Sequence, residues 1–262
     1  MLYPNHVGEI QIGTLPYYLE RDLALAKQIQ KNFLPHELPP IEGIEIYADT
    51  RPAHQVGGDL YDYFLQPSNN LTFIVGDISY KGVSAALLMA VMRKVVKTSL
   101  KLVDLPTPAS ILEYINADMF DDLTRNSMLA TAIVGQYRPE TRVLTYTNAG
   151  HSPVIYKPAH EPARLLKSEN VPVGVQVNEQ FIEKKVVMAQ GDLLIVLTDG
   201  YIEMPDNRGK HFGYERLLEV IDSAASQQPS GIAHEIVRAF NRFGAGLHHD
   251  DQTLLIIKGV NS

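Results

Sequence analysis

Leu71–Ala90 reads LTFIVGDISYKGVSAALLMA, and its order of elements is the key to the chain. An apolar strand, Leu71–Val75, runs into Gly76-Asp77-Ile78-Ser79. A helix then follows from about 82 to 102, with Leu87, Val91 and Val95 at spacings of four. An acid therefore stands where a strand stops. The same placement recurs along the chain. Asp59 follows Val56-Gly57-Gly58 and opens the strand Leu60–Leu65; Asp199 closes Leu193–Leu197 in Leu197-Thr198-Asp199-Gly200. Asp250 and Asp251 lead into a last strand, Thr253–Lys258.

Each motif taken singly reads as a turn, because Asp bonds its local backbone and Gly takes positive φ. Four of them at strand ends can gather on one rim of a sheet. Carboxylates gathered there repel, and burial raises the cost of each charge. A hard divalent cation resolves the conflict, and oxygen-only ligands point to Mg²⁺ or Mn²⁺ rather than zinc. A bridging carboxylate can hold two such ions roughly 3.5–4 Å apart.

Outward from this stretch, strands and helices come in blocks. A helix at roughly 20–34 carries Leu19, Leu23, Ala26, Ile29 and Phe33 at spacings of 4, 3, 3 and 4, ending at Pro35 and Pro39-Pro40. Strands follow at Ile44–Thr50, Leu60–Leu65 and Leu71–Val75, the last two joined through Gln66–Asn70. After the 82–102 helix, Thr107 as N-cap and Pro108 at the first position open another, to about 123. A second strand block begins at Leu129 and takes in Val143–Thr147, Val154–Tyr156, Arg164–Leu166, Phe181–Val187 and Leu193–Leu197. Helices near 213–224 and 230–243 precede the last strand. Such blocks predict α+β layering rather than strict βαβ alternation. No linker divides the body at about 40–262.

Composition narrows the chemistry. The 262 residues carry 23 Lys and Arg against 30 Asp and Glu, a formal charge of −7, which lacks the footprint of a nucleic-acid-binding surface. With no cysteine, disulfides, thiolate metal sites and cysteine nucleophiles are excluded. The longest strongly apolar run, Val83–Met92, is far short of the roughly 20 residues of a membrane span. No secretory h-region opens the chain. The expectation is a soluble, cytoplasmic chain.

Seven collinear segments carry a family resemblance: AKQIQKNFLP (Ala26–Pro35), PAHQVGGDLYDYF (Pro52–Phe64), VGDISYKGVSAALLMA (Val75–Ala90), NAGHSP (Asn148–Pro153), LTDGYIE (Leu197–Glu203), FGYERL (Phe212–Leu217) and DDQTLLIIK (Asp250–Lys258). The chain resembles the metal-dependent protein phosphatases (PPM, 2C-like), in the bacterial branch of the stage II sporulation phosphatase and the sigma-factor regulators. The resemblance implies an αββα sandwich of two antiparallel sheets flanked by helices. It implies a phosphatase domain at 41–262 behind a linker or regulatory helix within 1–40.

For the site it implies two Mn²⁺ or Mg²⁺ ions, with Asp77 bridging and the Ile78 carbonyl on one ion. Asp199 and Asp250 serve the other, and Asp59 binds directly or through water. Gly58, Gly200 and Asp251 stand behind these ligands. No side chain acts as the nucleophile; a water bridging the two ions does. The branch acts on phosphoserine or phosphothreonine of anti-anti-sigma (STAS) proteins in partner-switching pathways, which makes a phosphorylated STAS protein the expected substrate. The 20–34 helix corresponds to the segment behind an upstream sensor. Its stripe can meet a sensor, a dimer partner or its own domain. A shift of the 82–102 helix, which starts just after Asp77 and Ile78, would assemble or dismantle the site.

Two positions depart from family patterns. Asp77-Ile78-Ser79 stands where eukaryotic relatives have Asp-Gly-His, so the proton donor of that branch is missing. Tyr80 stands where this branch usually has Gly, which bears on metal-site mobility or on substrate access. His151 reads as bonding a turn rather than as an acid, and His248 and His249 as neighbours of Asp250 or as solvated loop. The Gly57-Gly58-Asp59 similarity to nucleotide cyclases fails for want of a following Glu. Two rival functions stand beside the phosphatase. A silent phosphatase-fold binding module has no need of the acids. An aspartyl-phosphate hydrolase using Asp199 wants Asp-x-Asp, whereas Gly200-Tyr201 follows.

Overall fold

The computed structural model of the chain describes residues 15–35, 40–66, 69–244 and 249–261. Its first half runs α1 (Leu15–Phe33), β1 (Ile44–Arg51), β2 (Leu60–Leu65), β3 (Leu71–Ile78), α2 (Val83–Leu102), α3 (Pro108–Arg125), β4 (Ala130–Arg138) and β5 (Val143–Ala149). Then come β6 (Val154–Lys157), β7 (Arg164–Leu166), β8 (Lys184–Val187), β9 (Leu193–Leu197), a 3₁₀ turn (Asp199–Tyr201), α4 (Gly213–Ala224), α5 (Pro229–Phe243) and β10 (Gln252–Gly259). The strands form two antiparallel sheets, β1-β10-β9-β6-β7 and β2-β3-β4-β5-β8.

Side-chain alternation sorts these strands into three apolar layers. In β9, Leu193, Ile195 and Leu197 pack against α4 and α5, with Leu217, Ile221, Ile236 and Phe240 opposite them. Leu194 and Val196 of the same strand point the other way, into the space between the sheets. β10 repeats the division with Leu254 and Ile256 outward, Leu255 and Ile257 inward. In β3, Phe73 and Val75 face the opposite sheet while Ile74 and Ile78 meet α2 and α3. Both faces of these strands are covered, so they read as continuous apolar runs. The αββα sandwich is the fold observed.

Local chemistry explains several boundaries. Thr107 caps α3 in a reciprocal pair with Ser110, and Pro108 follows in the first turn. β8 is shorter than the expected 181–187, because Phe181 is buried among α2 and α3 side chains rather than in the ladder. The helix after Asp77 buries a different face from the one its Leu87–Val91–Val95 spacing predicts. Leu87 and Val91 are exposed, and Ala85, Met89, Met92, Val96 and Ser99 turn inward with Val95. Spacings of four drift about 40° per step around a 3.6-residue helix, whereas alternating fours and threes hold one face.

Candidate metal centre

Register brings the acids together. β2 and β3 pair with Leu60 opposite Gly76, so one step outward Asp59 stands beside Asp77. Asp77 lies within β3 rather than beyond its end. In the other sheet, Leu197 is opposite Leu254, which sets Thr198 against Thr253 and brings Asp199 beside Asp250. The two sheets join at this end. Thr198 Oγ1 and Thr253 Oγ1 both donate to Asp59 Oδ2, at 2.9 and 2.7 Å. Thr253 N–H in turn donates to Thr198 Oγ1 at 2.9 Å.

Asp59 Oδ1, by contrast, is buried and is met by no donor other than the neighbouring Asp77 carboxyl group. A buried, unpartnered carboxylate oxygen is costly unless something positive meets it. Burial, then the charge of Asp77, push the Asp59 carboxyl well above its ordinary range. Asp77 is pushed up to about 8, by burial first and then by Asp199, Asp250 and Asp251. Asp199 is raised by burial and by Asp250. Four carboxyl groups here are mutually unfavourable, as a cation site without its cation would be.

The oxygens available to a cation come from Asp59, Asp77, Asp199, Asp250 and the Ile78 carbonyl. Gly58 lets the start of β2 approach that carbonyl; a Cβ there would lie 2.7 Å from Ile78 O. As the side chains stand, no three acidic or imidazole groups among the described residues enclose a common point. One reason is visible: Asp250 Oδ2 lies 2.7 Å from Lys81 Nζ, which also donates to His249 O at 2.8 Å. The oxygen-only donors and the orphaned oxygen fit a hard divalent ion, and an ion recruiting Asp250 must displace that ammonium.

Asp251 has another task. Its carboxylate accepts Ala53 N–H and Gly58 N–H, both at 2.7 Å, and so ties the loop before β2 to the start of β10. Gly57 leaves no room for a Cβ against that carboxylate, nor Gly200 against the Asp251 carbonyl.

The family model of Stage II sporulation protein E (SpoIIE) matches residues 67–259. The chain belongs to the SpoIIE family. Among curated relatives of this SpoIIE-family chain, Protein IcfG of Synechocystis sp. is 28% identical over 263 residues, covering 90% of the chain and 41% of IcfG. Phosphoserine phosphatase RsbU of Bacillus subtilis is 23% identical over 243 residues, covering 92% of the chain and 70% of RsbU. The chain thus spans about two fifths of one relative and about two thirds of the other. Among solved structures, the SiaA-PP2C domain of Pseudomonas aeruginosa superposes with a TM-score of 0.82 at 23% identity, covering 94% of this chain and 99% of that one. That likeness makes the sandwich a PP2C-type fold.

Two residues of this SpoIIE-family site escape a sequence reading centred on acids. Thr198 and Thr253 hold Asp59 from the opposite sheet, and the available signal is a threonine beside each acidic pair, in Leu197-Thr198-Asp199 and Asp251-Gln252-Thr253. His151 is 5% exposed, with Nδ1 2.8 Å from Thr131 Oγ1, and burial pushes its imidazole down to about 4. Its backbone N–H donates to Asn148 Oδ1 at 2.8 Å, the turn bond expected of this segment. Tyr80 is exposed and holds φ 67°, the left-handed region that favours glycine. His249 is exposed and offers Lys81 its carbonyl; His248 lies outside the described residues.

Proposed function

We propose that this chain is a Mn²⁺- or Mg²⁺-dependent phosphatase acting on phosphoserine or phosphothreonine of a STAS-type partner. The observation that carries the reading is the placing of Asp59, Asp199 and Asp250, from three other segments, near enough to Asp77 to act on its carboxyl group. The name of RsbU, a phosphoserine phosphatase, supports the substrate class.

In this reading Asp77 would be the ligand shared by two divalent ions, and Ile78 O, Asp59, Asp199 and Asp250 would be the others that hold them. Such ions, when bound, polarise phosphoryl oxygens and lower the pKa of water. The chain's own residues supply the arrangement. Thr198 and Thr253 fix Oδ2 of Asp59 and leave Oδ1 for an ion. Asp251 holds Gly58 N–H, and Gly58 keeps Ile78 O accessible. His151, neutral at pH 7, donates no imidazolium proton to the leaving oxygen.

Residues 41–262 form the phosphatase domain in this proposal, and 1–40 a regulatory linker whose helix meets an upstream sensor or a second copy. No helix of the described residues is long and apolar enough to cross a membrane, which is consistent with a cytoplasmic partner-switching role.

Hydrolysis of p-nitrophenyl phosphate and of phosphorylated STAS proteins, with Mn²⁺ and with chelator, tests the reading. Asp77→Asn is expected to lower turnover by 10³-fold or more while the fold, followed by circular dichroism, persists. Undiminished turnover in chelator would refute metal dependence, and metal binding with no turnover would identify a silent module.

A further inference from the structure

A phosphomonoester carries about two negative charges at neutral pH, and here it has to approach a cluster of acids. The carboxylates of Asp59, Asp77, Asp199 and Asp250 offset the charge of two divalent ions, so a loaded centre keeps little net attraction for a dianion. A protein cation beside the acids would draw the phosphoryl group in and orient it.

Lys81 is placed for that task. It stands between the end of β3 and the start of α2, with the backbone turning on either side of it at Tyr80 (φ 67°) and Gly82 (φ 71°). The first turn of α2 packs on the turn before Asp59, where a Cβ on Gly58 would lie 2.9 Å from Ala85 Cβ. From this base the side chain crosses to the opposite sheet. Its Nζ lies 2.7 Å from Asp250 Oδ2 and donates to His249 O at 2.8 Å. Its charge also reaches Asp199, whose carboxyl it draws down against the effect of burial. Among the described residues, no other cation forms an ion pair with a candidate ligand. Arg51, opposite Gln252 in the β1–β10 ladder, pairs with Asp49 instead. The Lys81 side chain is 38% exposed, so its ammonium stands at the solvent edge of the acids, where a phosphoryl group has to enter.

We propose that Lys81 is a phosphate-binding residue with two stations. In the metal-free chain its ammonium is the counter-ion of Asp250. With Asp250 engaged by an ion, the freed ammonium donates to the phosphoryl oxygens of the substrate. The proposal rests on the metal-centre reading above. The exchange needs only rotation within the lysine side chain, a flexible stem that carries three donors.

The test uses the full chain, Lys81→Gln, Lys81→Arg and, as a control for general charge, Lys94→Gln at an exposed position of α2. Binding of inorganic phosphate to the Mn²⁺-loaded proteins, followed by calorimetry, reads the contact directly. Phosphate affinity should fall about tenfold or more in Lys81→Gln, the usual range for losing a hydrogen bond between charged groups. It should stay within about threefold of wild type in Lys81→Arg, which keeps charge and donors, and in Lys94→Gln. Mn²⁺ affinity without phosphate should be at least as tight in Lys81→Gln as in wild type, because the candidate ligands remain and the competing ammonium is gone. With p-nitrophenyl phosphate the loss should fall on KM more than on kcat. Unchanged phosphate affinity in Lys81→Gln at wild-type Mn²⁺ binding would overturn the proposal. So would a weaker Mn²⁺ affinity in that variant, which would make Lys81 a support of the ligands instead. A wild-type chain that binds no Mn²⁺ would overturn the parent reading.

Discussion

α1 and α5 are both amphipathic by sequence, yet they sit in the molecule in opposite ways. α5 opens at Pro229 and buries Ile232, Ala233, Ile236 and Phe240 against β1 and β10. α1 keeps Leu19, Leu25 and Ile29 at 57%, 60% and 46% exposure and, among its described side chains, buries only Gln30. A fully buried apolar stripe holds one helix; an amide pair between Gln30 and Gly57, with half-buried Leu23, Ala26 and Phe33, holds the other. Apolar periodicity establishes that a helix has a face, not what covers that face. A helix with one fully buried side chain can leave for a few kcal/mol, whereas a helix held by a full apolar stripe leaves only when the domain unfolds.

The largest expected effect that sharpens this contrast is on stability. Phe240 is 1% exposed, with edge-to-face contacts to Tyr201 at 5.2 Å and Phe212 at 6.1 Å. Phe240→Ala should cost about 3–5 kcal/mol in urea unfolding. It should also disturb the 3₁₀ turn that carries Asp199, since Tyr201 belongs to that turn. Leu25→Ala should change stability by less than about 0.5 kcal/mol. A Leu25→Ala cost comparable to that of Phe240→Ala would mean that the exposed face of α1 is covered in solution, and the contrast would collapse.

A smaller effect separates the carboxyl cluster from the apolar layers. In the metal-free chain, Asp77 at about 8 and the raised Asp59 and Asp199 hold protons that the unfolded chain releases near pH 4. Stability should therefore fall as pH rises through the window from about 4 to 8. His151 works in the opposite sense below its ordinary 6.5: the unfolded imidazole is protonated there while the buried one stays neutral down to about 4. Between pH 6.5 and 8 only the carboxyl effect remains. Chelated protein should lose on the order of 1–2 kcal/mol across that interval, a fall of several degrees in melting temperature. Saturating Mn²⁺ or Asp77→Asn should flatten the slope. A flat profile in chelated wild type would show that the cluster is not held protonated.

The layering and most elements were legible because β9 and β10 are apolar on both faces and Thr107-Pro108 is a clear helix start. The nearness of Asp77, Asp199 and Asp250 was legible because each stands at or near a strand end. Three features were not. The hydroxyls of Thr198 and Thr253 act on Asp59 from 139 and 194 residues away, a separation that no local pattern encodes. Gln30 acts on Gly57 from 27 residues away, inside a stripe whose apolar members draw the eye. The Lys81–Asp250 pair joins segments from different sheets across 169 positions. In each case the sequence supplies the groups and tertiary register supplies the partner.

The smallest expected effect lies at Tyr80, where the site departs from the rest of the chain in backbone strain rather than in packing. The residue holds φ 67° at 66% exposure, so its ring gains little from burial while its Cβ meets the left-handed penalty of about 1–2 kcal/mol. Tyr80→Gly removes that penalty but gives the unfolded chain more freedom, worth about 0.5–1 kcal/mol in the other direction. The difference leaves a net gain of about 0.5 kcal/mol and a rise of one or two degrees in melting temperature. An apolar-layer position of equal size would lose several kcal/mol on the same substitution, so the sign of the change separates strain from packing. A loss of 1 kcal/mol or more in Tyr80→Gly would show that the tyrosine ring is buried in solution by something that packs beside the candidate ligands Asp77 and Ile78.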